Sequence, residues 1–426
     1  MALVIIATGC LFVRLFGLNA TGTGDVFIWE RFARNSYSLG AVAGMAASRG
    51  DYPPLFFYLA GAITHLIGPL TRQGIKVVLL AFELLLVAAL LWDGSRLARR
   101  FNRVDSILVY VANPAMILNA TLLGYLDVIP AAFFVAALVS LRKGHAFWCG
   151  ALFGLASLSK WQPNVLLPVM AAWCLALLLA SRFRPEALSF GQIRKQIVVG
   201  GIGYAAVLAA MLLPFVASGS FGAILDSLKF ATGHSAFSQN QLNLGWLVIV
   251  GVYLAGRRTG DIFGFTVNGT EYEPFRWAFI GAFAIFTLII ALSAVRYLSL
   301  ASKEPPHIKP QVALEVFVHS LVLAYWGYVV FGFSVHENHL ALIIPIACLL
   351  GLWNSRYLSL YLTLSVVSFL NMYLFFGPFG DPLPGGRGLI WHTASALLPL
   401  INIVALLYFT RDYVARCWRV PAPDQA

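Results

Sequence analysis

A few short polar segments interrupt long apolar runs in this sequence, and they hold many of its acids and histidines. Asp25 follows the first apolar run, and Asp51 opens the segment Asp51–Leu55, which reads Asp-Tyr-Pro-Pro-Leu. A carboxylate placed against a substrate hydroxyl can act as a general base. Asp before an apolar-periodic run is also a preferred helix N-cap, and the spacing alone favours that interpretation of Asp25. The two prolines after Asp51 suit the start of a helix at the membrane surface.

Two further polar segments lie between closely spaced apolar runs. Gly124–Asp127 reads Gly-Tyr-Leu-Asp, and Lys160–Pro163 reads Lys-Trp-Gln-Pro. Lys160 lies on the side of the membrane where few cations are expected, so its charge needs an explanation. A phosphate partner is one explanation, since lysine binds phosphate as a compact point charge. A lysine that snorkels from a helix end to the membrane surface is the other.

The segment Val335–His339 opens a late apolar run with three ionisable side chains, His336, Glu337 and His339. Such side chains are costly at a membrane helix unless they meet partners or water. The two histidines are three residues apart, so the i,i+4 pair of a zinc-binding HExxH helix is missing. Imidazole and helix-N-terminal N–H groups could instead bind an anion such as a phosphodiester. The amide-rich loop 234–243 suits sugar hydroxyls, and it suits an ordinary solvated loop equally well.

These segments must be positioned by membrane helices, because the chain of 426 residues is 60% hydrophobic and 11% charged, with a mean hydropathy of +0.80. Soluble domains are far more charged. A span needs about 20 mostly apolar residues. We therefore predict an all-α polytopic integral membrane protein with about 11–13 transmembrane helices. Candidate spans are 2–16, 77–92, 105–121, 127–141, 145–158, 164–181, 197–217, 242–256, 276–295, 311–333, 338–353, 357–376 and 390–409.

The net charge of +11 comes from short basic blocks between apolar runs, such as Arg96–Arg103. The positive-inside rule explains this distribution, and no nucleic-acid partner is expected because no contiguous basic face is present. Segment 53–70 is ambiguous in topology, and we predict that it lies along the interface or re-enters the membrane, so that 18–76 forms one long outside loop. The number of membrane helices in 242–275 is likewise left open. The outside loops would be 18–76, 122–127, 159–163, 217–241, 334–339 and 377–389.

Taken in order, these motifs resemble those of the GT-C superfamily of membrane glycosyltransferases over about residues 25–340. The likeness is strongest to the dolichyl-phosphate-glucose-dependent glucosyltransferases and their prokaryotic polyprenyl-phosphate-hexose-dependent relatives. The chain departs from their pattern at Tyr125 and Asn338, so the resemblance does not identify the donor sugar or the acceptor. The matching residues are Asp25, Asp51–Leu55, Gly124, Asp127, Lys160, Gln162, Pro163, Val335, His336 and Glu337.

The resemblance implies a GT-C fold and an inverting transfer of a hexose, mannose or glucose, from a polyprenyl-phosphate sugar. Asp25 would be the catalytic base, and His336, with Lys160 as a second candidate, would neutralise the leaving phosphate. The acceptor would be a lipid-linked or cell-envelope glycan on the non-cytoplasmic face. No cofactor is expected, and no carboxylate cluster indicates a metal. The remaining candidates for donor-phosphate or substrate binding are Glu337, Gln162, Asp51, Asp127 and His339.

We predict one transmembrane domain, 1–426, with a catalytic module 1–217 and C-terminal helices 218–426 that contribute the Val-His-Glu loop. Compact loops favour a plasma (inner) membrane of a prokaryote with the active site outside, or the endoplasmic reticulum in a eukaryote. A transporter or flippase for a polyprenyl-linked or other anionic substrate stays open, although few acids lie mid-span. A polymerase or ligase is a third class, but it would need a long arginine-rich outside loop.

Overall fold

The structure, a computed structural model, is helical and has the character of an integral multi-pass membrane protein. It describes residues 2–68, 70–95, 103–183, 190–233, 238, 241–254, 269–301, 310–333, 335–378, 380 and 389–419. Within these ranges no strand occurs, and seven helices are long and apolar enough to cross a membrane. Six shorter apolar helices accompany them. The all-α membrane fold is confirmed, and the exact number of spans stays a prediction.

The described helices follow the predicted spans closely in the middle of the chain and differ at the start and at several helix ends. In chain order they are α1 (Ala2–Gly17), α2 (Gly24–Leu39), α3 (Ala41–Ser48), α4 (Pro54–Ile67), α5 (Arg72–Asp93), α6 (Arg103–Val111), α7 (Pro114–Met116), α8 (Val128–Arg142), α9 (Ala146–Ser159), α10 (Leu167–Phe183), α11 (Phe190–Ala217), α12 (Phe221–Thr232), α13 (Leu244–Leu254), α14 (Gly269–Ala301), α15 (Pro310–Phe331), α16 (Ile344–Trp353), α17 (Leu358–Phe376) and α18 (Leu389–Trp418).

Two compact units make up the chain. The first contains Met1–Pro163, Gly201–His234 and Asn338–Gly385, and the second contains Asn164–Gly200, Ser235–Glu337 and Gly386–Ala426. In the first unit α8 packs on α9 and α5, and α2 packs on α3 and α4. In the second unit α14 packs on α15, α10 and α18. The predicted single domain with a division at 217 stays a prediction.

The predicted span 105–121 is not one continuous helix. Helix α6 ends at Val111, and the side chain of Asn113 accepts hydrogen bonds from the backbone N–H groups of Ala115 and Met116. Asn113 therefore caps a new helix, and Pro114 takes its first position, where no N–H partner is needed. The chain then widens into a π-helix over Ile117–Leu123. Such turns occur often at functional sites, and this one leads directly to Gly124.

The predicted first outside loop, 18–76, contains three helices, α2, α3 and α4, ahead of α5. Helix α5 begins at Arg72, five residues before the predicted span 77–92, because Thr71 caps it by accepting from the backbone N–H of Gly74. The predicted helix at 53–70 is present as α4, and its place along or across the membrane stays a prediction. Part of the ambiguous segment 242–275 and most of the block Arg96–Arg103 lie outside the described residues.

A buried ion pair fixes α1 against α5. Arg14 donates two hydrogen bonds to Glu83, at 2.9 Å from Nε to Oε2 and 3.1 Å from Nη2 to Oε1. A third bond runs from Nη1 of Arg14 to the carbonyl of Val111, so the guanidinium also holds the end of α6. Glu83, an acid within a candidate membrane span, is therefore held in a buried ion pair.

Candidate active site

Asp25 lies in the first turn of α2, which begins at Gly24 with Thr23 in the N-cap position. The interpretation of Asp25 as the N-cap is therefore wrong, because the helix starts before it. Its carboxylate still lies near the positive end of the helix dipole, which favours the ionised form. The side chain is half-buried, and the helix presents it beside the buried residue Trp29 of the following turn.

Aromatic packing brings three of the predicted motifs together around α2. The ring of Trp29 meets Tyr52 edge-on at 6.0 Å between centroids and Tyr125 at 6.5 Å. Phe32, one turn further along, lies 6.4 Å from Tyr52. A Cβ atom at Gly50 would fall 2.4 Å from Phe32, so the close approach of the segment before Asp51 requires a glycine there. Helix α2 thus joins the Asp51 motif to the Gly124–Asp127 motif.

The electrostatics around Asp25 favour proton exchange near neutral pH. Burial raises the pKa of Asp25 to about 6, Lys160 acts in the opposite direction, and the carboxylates of Asp51 and Asp127 raise it further. A base with this pKa is mostly ionised at neutral pH and still binds a proton well. Burial, and then the same carboxylates, raise the pKa of the Tyr52 hydroxyl, so Tyr52 stays a neutral phenol.

Asp127 anchors a buried polar cluster at the start of α8. Its Oδ1 atom lies 2.6 Å from Nζ of Lys160, and its Oδ2 atom accepts from Nδ2 of Asn338 at 2.8 Å. The Asp127 side chain is 0% exposed and that of Lys160 is 6% exposed. Lys160 therefore pairs with Asp127 inside the protein, and the snorkelling interpretation is wrong. The predicted roles of Asp127 and Lys160 in substrate binding stay predictions.

The neighbours of Lys160 tie this cluster to two more segments. Nε2 of Gln162 lies 3.1 Å from Nε2 of His339, so two predicted site residues meet directly. Nε1 of Trp161 donates to the hydroxyl of Ser227 at 3.2 Å, and that hydroxyl donates to the carbonyl of Tyr52 at 2.9 Å. Ser227 belongs to α12, a helix within the predicted outside loop 217–241, and it bridges the Asp51 and Lys160 segments.

The first unit therefore contains six of the eight predicted site residues, which are Asp25, Asp51, Asp127, Lys160, Gln162 and His339. His336 and Glu337 belong to the second unit, in which His336 is half-buried and Glu337 is buried. The chain passes between the units after Glu337. The roles of His336 and Glu337 in phosphate binding stay predictions.

Of the amide-rich loop 234–243, residues 234–237 and 239–240 lie outside the described residues, as does Asp381. At the described end of that loop, Asn243 makes hydrogen bonds within the protein. The side chain of Asn243 donates to the carbonyl of Val329 at 3.1 Å and accepts from the backbone N–H of Trp246 at 3.1 Å. Asn243 thereby caps α13 and holds it against the end of α15.

Trp29 and Ser227 contact the predicted site segments but were not predicted from the sequence. Trp29 carries a readable signal, because it lies one helical turn after Asp25 and the two side chains share a face. Ser227 carries no such signal beyond its place in the predicted outside loop 217–241. In the part of the chain that the structure describes, no group of three or more His, Cys, Asp or Glu side chains is arranged to hold a metal ion.

Comparison with known proteins agrees with the predicted resemblance. No protein-family model matches the chain. The chain is similar to the dolichyl pyrophosphate Glc1Man9GlcNAc2 alpha-1,3-glucosyltransferase of Chaetomium globosum, with 23% identity over 358 residues. The matched region covers 80% of this chain and 70% of the relative. The resemblance to this type of membrane glucosyltransferase is thus confirmed beyond the short motifs.

Proposed function

We propose that this protein is a membrane glycosyltransferase that moves a hexose from a polyprenyl-phosphate sugar to a lipid-linked glycan. The similarity to a glucosyltransferase named for a lipid-linked oligosaccharide supports the general activity. The proposed donor rests on the motifs and on the chemistry of the site. We place the reaction on the non-cytoplasmic side because the basic blocks of the sequence lie in the opposite loops.

The proposed reaction is a single displacement at the anomeric carbon. A hydroxyl oxygen of the acceptor attacks C1 of the donor hexose, and the bond from C1 to the phosphate oxygen breaks. The proton of that hydroxyl passes to the carboxylate of Asp25, and the electron pair of the broken bond leaves with the polyprenyl phosphate. The configuration at C1 is therefore inverted.

The observation that carries this proposal is the state of the Asp25 carboxylate. Its neighbour Asp127 has both oxygens bound, to Lys160 and Asn338, whereas Asp25 is half-buried with a pKa raised to about 6. Of these two aspartates, Asp25 is the one whose proton affinity suits a general base at neutral pH.

The leaving phosphate needs positive charge or N–H donors as its charge develops. His336 is the proposed partner, because a half-buried imidazole can donate to a phosphate oxygen. Lys160 supplies a positive charge to the first unit, although its ammonium is bound to Asp127. Asp51 and His339 are proposed to bind sugar hydroxyls in the same reaction.

The first experiment uses the purified protein in detergent with radiolabelled polyprenyl-phosphate mannose and glucose as donors and a crude lipid extract as acceptor source. We expect transfer from one of the two donors. Asp25→Asn should lower the rate by a factor of about 10³ or more, since a positioned general base contributes about 10²–10⁴. The melting temperature of this variant should equal or exceed that of the wild type, because a desolvated carboxylate is removed.

Glu30→Gln is the matched control. Glu30 lies on the same helix, is half-buried like Asp25, and forms an i,i+4 pair with Arg34 at 3.6 Å. Removing that charge should leave transfer unchanged. Full turnover by Asp25→Asn would remove Asp25 as the base. Release from neither donor by a folded wild-type protein supplied with acceptor would favour the transporter.

A further inference from the structure

Lys76 is a buried cation that the reaction described above does not use. It lies in the second turn of α5 and is 1% exposed. Within the described residues, the ammonium forms no ion pair with a carboxylate. A buried charge is costly unless it is paired or hydrogen-bonded, so its partners must explain its presence.

Three backbone carbonyls satisfy all three N–H donors of Lys76. Its Nζ atom lies 3.1 Å from the carbonyl oxygen of Gly17, 2.7 Å from that of Ala20 and 2.9 Å from that of Leu122. Gly17 is the last residue of α1, and Leu122 lies in the last turn of the π-helix. Carbonyls at helix C-termini lack partners within the helix and carry the negative end of the dipole. Two helix ends therefore converge on one ammonium.

Both of these helix ends lead into site residues. After Gly17 the chain runs through Ala20 to Asp25, and after Leu122 it runs to Asp127. The backbone N–H of Thr23 donates to the carbonyl of Leu123 at 3.0 Å, which closes the junction between the two connections.

Two glycines at the junction pack against the stem of Lys76. A Cβ atom at Gly22 would lie 3.5 Å from Cε of Lys76 and 2.9 Å from the carbonyl oxygen of Leu123. One at Gly124 would lie 3.4 Å from the same Cε atom. Both glycines have positive φ, +76° and +79°, so the junction depends on a backbone conformation that other residues rarely adopt.

We propose that Lys76 is a positioning residue, which fixes the Asp25 segment to the Asp127 segment by holding the two helix ends in one hydrogen-bonded junction. It acts through the backbone and does not contact the substrate. This inference rests on the proposed function for its effect on transfer, because the distance between base and acceptor hydroxyl is what the junction would set. Displacement of about 1 Å at such a distance can lower a rate by about 10²-fold.

The test compares purified Lys76→Met, Lys76→Arg and wild type by steady-state transfer and by hydrogen–deuterium exchange of peptides over residues 18–30. Lys76→Met keeps most of the stem and removes the three donors. We expect kcat to fall by about 10²-fold with the KM for the donor within about threefold, and faster exchange at the Thr23 amide. Lys76→Arg should recover kcat in part, because it keeps the charge and several donors.

Gln73→Ala is the matched control, since Gln73 contacts the same connection from the same helix but at the surface, through Asn19 at 2.7 Å. It should leave kcat and exchange unchanged. If Lys76→Met keeps the wild-type kcat, or keeps wild-type exchange over 18–30, the proposal is overturned. A lower melting temperature with full kcat in the folded fraction also overturns the proposal, because the role of Lys76 would then be structural.

Gly22→Ala provides a second route if Lys76→Met does not fold. It strains the junction and leaves Lys76 in place, so it should lower kcat and speed exchange in the same direction. Normal kcat and exchange in Gly22→Ala would overturn the proposal. A wild type without transfer would refute the proposed function instead, and the exchange measurement would then decide on the junction by itself.

Discussion

Helix α8 has a buried aspartate beside each of its ends, and the two are held differently. At the end of α8, Nη1 of Arg142 lies 2.8 Å and 2.7 Å from the two carboxylate oxygens of Asp93. Nε1 of Trp353 donates to the same oxygens at 3.1 Å. One cation thus faces one acid. At the start of α8, Asp127 has its own cation in Lys160, but Lys160 also acts on Asp25, which lies near Asp51 as well.

The difference separates a structural ion pair from a group that can exchange protons. The guanidinium of Arg142 also lies over the Trp353 ring, at 5.1 Å from its centroid. The Arg142–Asp93 ion pair therefore joins α5, α8 and α16, and both oxygens of Asp93 accept hydrogen bonds. Near Asp127, burial raises the pKa of Asp25 to about 6, and the carboxylates of Asp51 and Asp127 raise it further while Lys160 acts in the opposite direction. Burial of Asp25 beside two further carboxylates therefore distinguishes the candidate site from the ion pair at the opposite end of the same helix.

Removing Lys160 should produce the largest change after loss of Asp25 itself. Lys160→Met leaves Asp127 buried without its cation, which should lower the free energy of unfolding by about 3 kcal/mol. Transfer should fall by about 10²-fold or more. Because Lys160 lowers the pKa of Asp25, its loss should raise that pKa above about 6 and move the acid limb of the pH–rate profile to higher pH. Rates from pH 5 to 9 and thermal melting measure these effects.

Lys229→Met is the control for Lys160→Met, since Lys229 is an exposed cation of α12 that pairs with Asp226 at 3.8 Å. Its pH profile and melting temperature should match the wild type. An acid limb that does not move in Lys160→Met, with residual activity measurable, would contradict the electrostatic account of Asp25.

Removing Arg142 should affect stability alone. Arg142→Met leaves the buried Asp93 with Trp353 as a donor, so the free energy of unfolding should fall by about 2–3 kcal/mol. Transfer by the folded fraction should stay within about twofold of wild type. The measurement is the active fraction after size-exclusion chromatography, combined with thermal melting. A stable Arg142→Met protein that has lost turnover would contradict the assignment of the Arg142–Asp93 pair to a purely structural role.

Asp51→Asn should shift the pH dependence in the opposite direction to Lys160→Met. Asp51 raises the pKa of Asp25, so removing its charge should lower that pKa. The base then stays ionised at lower pH, and the acid limb of kcat/KM, near pH 6 in the wild type, should move down by a fraction of a unit. The pH–rate profile reads this shift even if sugar binding weakens. An upward shift would mean that Asp51 acts on Asp25 other than through its charge.

Long apolar runs predicted the helices well, and short or capped elements were the ones missed. Helices α8, α9 and α15 begin and end within a residue or two of the predicted spans. The break in 105–121 has a sequence signal, Asn113-Pro114, which is a helix cap followed by a residue favoured at the first helical position. Hydropathy alone does not detect this signal, because the segment is apolar on both sides of it. Helix α12 has only 12 residues, which is too few to cross a membrane, so its length and hydropathy did not mark it as a span.

The pairing of Asp127 with Lys160 could have been predicted from helix lengths. Helices α8 and α9 have 15 and 14 residues and are joined by three, so they form an antiparallel hairpin. Because the lengths are nearly equal, the end of α9 returns to the level of the start of α8, about 22 Å from the turn at 1.5 Å per residue. The partners of Lys76 could not be predicted in this way, because they are backbone carbonyls, which every residue type provides.

The smallest expected effect concerns the bridge between α12 and the site. The hydroxyl of Ser227 accepts from Trp161 and donates to the Tyr52 carbonyl, so Ser227→Ala removes two hydrogen bonds worth about 1 kcal/mol each. We expect a slightly lower melting temperature and a fall of about threefold to tenfold in transfer, since Tyr52 follows Asp51 directly. Thr232→Ala is the control, because the hydroxyl of Thr232 bonds within its own helix, to the carbonyl of Leu228. Equal activity of the two variants would mean that Trp29 and Phe32, which pack on the Tyr52 ring, hold the Asp51 segment without the bridge. The site would then be fixed by aromatic packing from α2, and its polar links to α12 would add stability alone.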